Sequence, residues 1–334
     1  MALFDLTGMR KKMLLLLIPW VMVYFLSCSP VKELEMDVLE PAEISFPDDV
    51  FTLAFLIPGP KVKVNSRNQY QLDSIPENEF WKGIRDVAEN SPRFNVNSLS
   101  LIGEYTDSLP EDTLDWHIVT GITDSVNVDM LVVMHPFTMV DSLKRKMVAK
   151  YNYEGYYYLY KIHSKATWRI YHPEKMKVLS DKNYDESYVW ESLTDEWGAV
   201  IRLIDLRQAF SSAAYWSGHD IGQIMFPYWV KENRFYYIRG NRYFRQARDY
   251  VNQNNWQRAI SIWKKNFKLN DPGAAYRAAH NIAFACEMMG KVELAIEWAE
   301  NALDIMHKSQ TRRYLHLLRE REKKLEQIDQ QMPI

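Results

Sequence analysis

Cys28 has the clearest chemical assignment in this chain. Met9-Arg10-Lys11-Lys12 opens a segment that runs on as apolar residues from Met13 to Leu26 and ends in Ser27. A cationic start, a short apolar core and a small residue before the cut describe a secretory signal peptide over residues 1–28. The run falls short of the roughly 20 apolar residues that a ~30 Å hydrocarbon layer requires. Other chemically capable residues lie further on. Gly218-His219-Asp220 is a polar cluster among apolar neighbours. Its His and Asp could belong to a catalytic set, although a solvated helix face or a capped helix break needs less. Arg234 stands near Tyr236 and Tyr237, where it could grip an anion or make a structural cation–π contact. Phe244, Arg248, His280 and Phe284 recur on the first helices of two related hairpins. Aromatics beside a cation could line a partner groove there.

Phe25-Leu26-Ser27-Cys28 resembles the bacterial lipobox, in which the cysteine thiol is acylated and becomes the new N-terminus. The lipobox usually has Leu where Phe25 stands and a smaller residue where Leu26 stands. With Cys28 lipidated, palmitate being the expected kind of acyl group, Cys286 is left without a disulfide partner. Cys286 then reads as a small core hydrophobe. Residues 29–41 read as an extended acidic tether, with Glu33, Glu35, Asp37 and Glu40 against Lys32. Acids close behind the lipid cysteine also resemble a surface-export signal of Bacteroidota lipoproteins.

Several chemistries find no support. The glycines form neither a phosphate loop nor a dinucleotide fingerprint. The eight His include no His-Glu-x-x-His pair and no close cluster with Cys, which leaves a zinc site without ligands of the right spacing. No Gly-x-Ser-x-Gly elbow occurs. A formal charge of −2 becomes more acidic when Arg10, Lys11 and Lys12 leave with the leader, so nothing attracts nucleic acid. No cofactor, no metal and no enzymatic activity are expected.

The length of 334 residues, with 47% apolar residues and 13% aromatics, suits two cores. The expected fold class is an α/β domain over 42–237, followed by an all-α domain of tetratricopeptide-like repeats with a capping helix over 240–330. Val50–Ile57 is apolar on both faces, as a strand buried on both sides of a sheet would be. Pro58-Gly59-Pro60 ends it. Ser74-Ile75-Pro76-Glu77 has capping-box spacing, and Phe80, Trp81, Ile84, Val87 and Ala88 follow at helical intervals. Met130–Met134 reads as a second buried strand, with weaker strands at Ser98–Ile102 and Trp116–Val119. Strand, helix, strand in this order suggests a crossover unit in a mixed sheet.

Tyr-rich residues 151–171 read as two strands, Gly155–His163 and Ala166–Tyr171, flanking Ser164-Lys165. They could be ordinary sheet packing, or an aromatic surface for glycan or peptidoglycan with Trp168 in it. A helical stripe, Trp190, Leu193, Trp197, Val200, Ile201 and Ile204, is expected from Tyr188 onward. Ala214, Gly218 and Gly222 form a small-residue ridge, or else the helix breaks near Gly218.

Residues 240–305 carry an internal repeat. Tyr243, Ala247, Tyr250, Ala259 and Trp263 match tetratricopeptide spacing. Ala279, Ala283, Cys286, Ala295 and Ala299 answer them 36 positions later, against a usual period of 34. Gly290 falls where the second hairpin turns. A helix from about Gln310 to Gln327 would cap the array. The carboxylate clamp of some tetratricopeptide proteins needs Lys and Asn one turn apart, and these positions hold other residues.

The lipobox, Pro41-Ala42-Glu43-Ile44 before a buried strand, Trp168-Arg169-Ile170-Tyr171, Pro227-Tyr228-Trp229, Arg234-Phe235-Tyr236-Tyr237 and the terminal repeats together resemble an uncharacterised family of Bacteroidota lipoproteins. The resemblance implies a membrane-attached lipoprotein and no particular activity; the expected location is the cell envelope, lipid-anchored to the outer membrane on either leaflet. The expected function is a non-enzymatic protein-interaction module whose partners are the membrane, through its lipid, and other proteins. The alternative is a glycan- or peptidoglycan-binding protein or hydrolase using residues 151–171.

Overall fold

The computed structural model describes residues 31–57, 61–63, 75–94, 99–102, 113–135, 137–150, 153–194 and 205–332. The leader with Cys28, the capping-box Ser74 and residues 195–204 lie outside them. Two compact units result. One joins the residues up to Val38 with Lys231–Lys324, and the other joins Leu39–Val230 with Leu325–Ile334. Residues 231–237, expected in the α/β domain, therefore belong to the helical unit.

The α/β unit is built on a mixed sheet in the order β3 (Lys61–Lys63), β6 (Thr138–Lys150), β7 (Tyr153–His172), β5 (Met130–Met134), β2 (Leu53–Leu56) and β4 (Leu99–Ile102), with β8 (Lys177–Thr194) also paired to β7. Next to its β4 edge, β2 runs parallel to β4 on one side and to β5 on the other. Leu53 and Phe55 pack into one apolar cluster and Ala54 and Leu56 into another, as do Met130 and Val132 against Leu131 and Val133. Period-2 alternation with both faces apolar thus produces a strand covered on both sides. Helices α1 (Ile75–Glu89) and α3 (Leu206–Met225) cover the first face, and α2 (Trp116–Val126) covers the second.

The small-residue ridge explains how α1 and α3 meet. A Cβ on Gly218 would overlap the carbonyl oxygen of Phe80, and one on Gly83 would overlap that of Tyr215. The two helices cross backbone to backbone, and α3 runs through Gly218 without a break. The helix tolerates glycine here because no other residue fits.

Three local expectations are corrected. Trp116–Val119 is helical, because the Asp115 side chain accepts from the His117 amide at 2.7 Å and caps α2. The Tyr-rich segment is one strand, β7 (Tyr153–His172), since buried Ser164 and exposed Lys165 keep the alternation going. Residues 188–194 continue β8 (Lys177–Thr194) instead of starting a helix. Tyr188 and Trp190 stand opposite Ile162 and Tyr160 across the ladder. The helix begins only at Leu206, where Asp205 accepts from the amides of Arg207 and Gln208.

The helical unit contains the hairpins α4 (Arg242–Val251) with α5 (Trp256–Trp263) and α6 (Pro272–Met288) with α7 (Val292–Ile305), then α8 (Ser309–Gln331) up to Lys324. Ala247, Ala259, Ala283 and Ala295 are fully buried in one cluster, so the small residues stand where helices touch. Gly290 turns the second hairpin at φ +73°. The acidic tether is corrected as well. Residues 31–40 form β1 (Val31–Glu40), paired with β9 (Tyr228–Tyr237). Met36 and Val38 are buried while Glu33, Glu35 and Asp37 are exposed. Composition suggested a solvated spacer, but the alternation is that of a half-buried strand.

Candidate functional site

The expected groove residues are not on an open surface. Phe244, His280 and Phe284 are buried in the core of the helical unit, and Arg248 alone is exposed. The face they define is filled by the chain's own β9. Phe284 stacks on Tyr236 with ring centroids 5.5 Å apart, and His280 stacks on Phe235 at 4.7 Å. The Asn281 side chain grips the strand's backbone. Its amide donates to the Tyr237 carbonyl and its oxygen accepts from the Tyr237 amide, both at 2.7 Å. Helical spacing marks which face of α4 and α6 is apolar, but it does not tell what covers that face. Residues 235–237 read as the end of the other domain, and they supply the cover.

Arg234 holds no free anion-binding position either. Its Nε donates to both oxygens of the buried Glu287 at 3.2 Å, and an Nη donates to Glu232 at 2.6 Å. His219 and Asp220 face different neighbours. Asp220 accepts from the hydroxyls of Tyr184 and Tyr188 at 2.8 and 2.9 Å, which ties β8 to α3. His219 lies against the rings of Tyr215 and Trp216, and burial lowers its pKa. In the aromatic segment Tyr158, Tyr160, Trp168 and Tyr171 are buried, so Trp168 offers no surface to a sugar. Tyr156 and Tyr157 are half-buried. Cys286 is buried, and burial pushes its thiol up to about 11, which suits a packing role. Cys28 lies outside the described residues. No group of three or more His, Cys, Asp or Glu placed to hold a metal occurs among the described residues.

Comparison with known proteins places these features. A domain of unknown function, DUF8603, matches residues 63–237, more than half of the chain. The chain belongs to the DUF8603 family. A second domain of unknown function, DUF6340, matches residues 245–320. No curated protein matches. Among solved structures, a neuraminyllactose-binding hemagglutinin homolog from Helicobacter pylori is 10% identical over 53% of this chain and 82% of its own, with a TM-score of 0.30. The PelC dodecamer from Paraburkholderia phytofirmans is 7% identical over 57% and 95%, at 0.24. A minor lipoprotein from Acinetobacter baumannii is 8% identical over 53% and 98%, at 0.25. Likeness at that level carries no functional argument. The DUF8603 region thus covers most of the α/β unit and stops at Tyr237, the residue Asn281 grips.

With the first-helix face filled, exposed apolar side chains of the helical unit stand elsewhere, Leu317 on α8 among them. Phe267 and Leu269, in and just after the 3₁₀ turn Lys264–Lys268, and Leu294 on α7 are 38–40% exposed. Phe267 lies 5.7 Å from the half-buried Trp298, one turn beyond Leu294, and Lys264 sits over the Trp298 ring at 5.5 Å. Within the DUF6340 region Phe267, Trp298 and Lys264 thus pack together as a short strip, with Leu269 two residues after Phe267 and Leu294 one turn before Trp298. The sequence signal for it is weak, because Leu294 and Trp298 fit an ordinary amphipathic helix.

Proposed function

We propose that this DUF8603 protein is a lipid-anchored, non-enzymatic interaction protein of the bacterial cell envelope, held at the outer membrane by acylated Cys28. The anchor reading rests on the cationic, apolar and small-residue order of residues 9–28. No helix among the described residues is long and apolar enough to cross a membrane. The hairpins, with their buried Ala247, Ala259, Ala283 and Ala295, support a tetratricopeptide-like reading of the helical unit. The observation that carries the interaction role is the exposed Phe267 packed on Trp298, with Leu269 and Leu294 exposed near them in the chain. Grouped exposed apolar side chains on a protein surface are characteristic of binding sites, and aromatics dominate binding energy. Partner proteins would dock there, because β9 already fills the face that the repeat spacing singles out.

Two experiments test this reading. Cys28→Ser should leave the precursor uncleaved and without fatty acid; radiolabelled palmitate entering the variant as strongly as the wild type would refute the anchor. Crosslinking in the native envelope should capture protein partners that Phe267→Glu with Leu294→Glu loses, while the melting temperature stays nearly constant. Capture unaffected by the two charges would remove the strip from the interaction.

A further inference from the structure

The outward side of the crossing between α1 and α3 carries a group of side chains that none of the readings above uses. The two backbones touch at Gly83 and Gly218, so side chains on the flanks of both helices converge on Tyr215 of α3. Lys82 of α1 lies 5.6 Å from the centre of the Tyr215 ring, and the Tyr215 hydroxyl donates to Asp86 Oδ2 at 2.9 Å. On the other flank the Trp216 ring centre lies 5.2 Å from that of Tyr215 and 5.2 Å from that of His219. The Tyr215 and His219 centres are 6.1 Å apart. Both neighbouring rings stand steeply to the indole, at 80° and 70°, so neither lies flat on it. Trp216 is 47% exposed, which offers solvent the aromatic surface that buried Trp168 does not.

The polar groups around this surface are mixed in character. Lys82 is exposed and brings donors alone. Asp86 is half-buried and brings an acceptor, since its Oδ1 has no hydrogen-bond partner among the described residues. The His219 Nδ1 is buried, while its Nε2 is not and has no such partner either. Burial lowers the His219 pKa, with Asp220 and Asp86 opposing it, so the ring is neutral at pH 7. Charge then selects the ligand. Lys82 over the Tyr215 ring repels a second cation. Burial, the Asp86 hydrogen bond and the charges of Asp86 and Glu79 push the Tyr215 hydroxyl up to about 12, and those same two acids repel an anion. The ligand that remains is neutral, with an apolar face for the indole and groups at its rim that both donate and accept. Hydroxyls do both. A pyranose ring has this make-up, and small-ligand sites combine aromatic surface with a few polar groups in the same way. With Trp216 so open, the ring that lies on it can be a unit within a longer chain.

We propose that this surface binds a neutral glycan, one pyranose ring lying on the Trp216 indole and the hydroxyls of that ring and its neighbour meeting Lys82, Asp86 and His219. The site lies wholly within the α/β unit and needs neither the anchor nor the Phe267 strip. The test titrates the full chain, ¹⁵N-labelled at its tryptophans and held in a detergent without sugar headgroups, with cellohexaose, maltohexaose and chitohexaose. At least one of these should move the Trp216 indole N–H resonance and saturate at millimolar concentration or below. By calorimetry, Trp216→Ala should weaken that binding about tenfold or more. Its melting temperature should stay that of the wild type, because a half-exposed ring leaves no core cavity. Affinity should hold as salt is raised, since the ligand carries no charge. Three outcomes overturn the proposal: none of the three oligosaccharides moves the Trp216 resonance, Trp216→Ala binds as tightly as the wild type, or affinity collapses with salt. Choline moving that resonance in place of the oligosaccharides would also overturn it and mark a site for organic cations.

Discussion

Glu287→Ala should cost about 3–5 kcal/mol of stability, the range for removing one partner of a buried ion pair. Glu287 sits in the last turns of α6 with its side chain fully buried. It accepts from Arg234 Nε, from an Arg321 Nη at 2.7 Å and from the Tyr314 hydroxyl at 2.6 Å. Burial and the Glu287 charge hold the Tyr314 hydroxyl far above the usual phenol value, so it remains a donor. Alanine would leave two guanidinium groups and a hydroxyl without their common acceptor. Glu300 provides the comparison. It pairs with Arg319 at the same 2.7 Å, but both groups are about half exposed, and its removal should cost no more than about 1 kcal/mol. Urea unfolding of the two variants checks both values. A loss at Glu287 as small as that at Glu300 would mean that water reaches the cluster.

The contrast between those two glutamates shows where the sequence was readable. Glu287 and Glu300 both stand in regular helices, and nothing in their neighbours distinguishes them. Only the arrival of Arg234 and Arg321 from distant positions does. The elements themselves were legible wherever a period was strong. Leu53–Leu56 and Met130–Met134 are apolar throughout, Phe80 to Ala88 repeats at helical spacing, and the alanines of the hairpins mark close packing. Reading failed where composition competed with period. The acids of residues 31–40 hid the alternation of Met36 and Val38, and Trp190 fitted a helical stripe as well as a strand ladder. The candidate sites were less legible than the fold. Phe244, His280 and Phe284 recur at matching helical positions, but their burial depends on Phe235-Tyr236-Tyr237, which local spacing assigns to another domain.

His280 should make the protein acid-sensitive before its carboxylates titrate. The ring is completely buried in the helical unit, between Phe235, Tyr237 and Tyr314. Its Nε2 faces the Phe235 carbonyl at 3.3 Å and its Nδ1 faces the Thr311 hydroxyl at 3.0 Å. A carbonyl can only accept, so Nε2 carries the proton and Nδ1 accepts from Thr311. Thr311 in turn takes the Tyr276 hydroxyl at 2.7 Å. The neutral ring is thus satisfied on both sides, and a second proton would break the Thr311 bond. Burial lowers its pKa from 6.5 to about 4, only partly opposed by the Phe235 carbonyl. The unfolded chain therefore binds a proton between pH 6.5 and 4 that the folded chain refuses. The stability contributed is complete above pH 6.5 and is lost as pH falls toward 4, by about 3 kcal/mol in all. Denaturant midpoints measured from pH 7 to 5, above most carboxylate titration, should fall more steeply in the wild type than in His280→Gln. That variant keeps a donor and an acceptor but cannot charge. Parallel pH profiles would show that His280 protonates in the folded state without cost, and would overturn the tautomer and burial argument together.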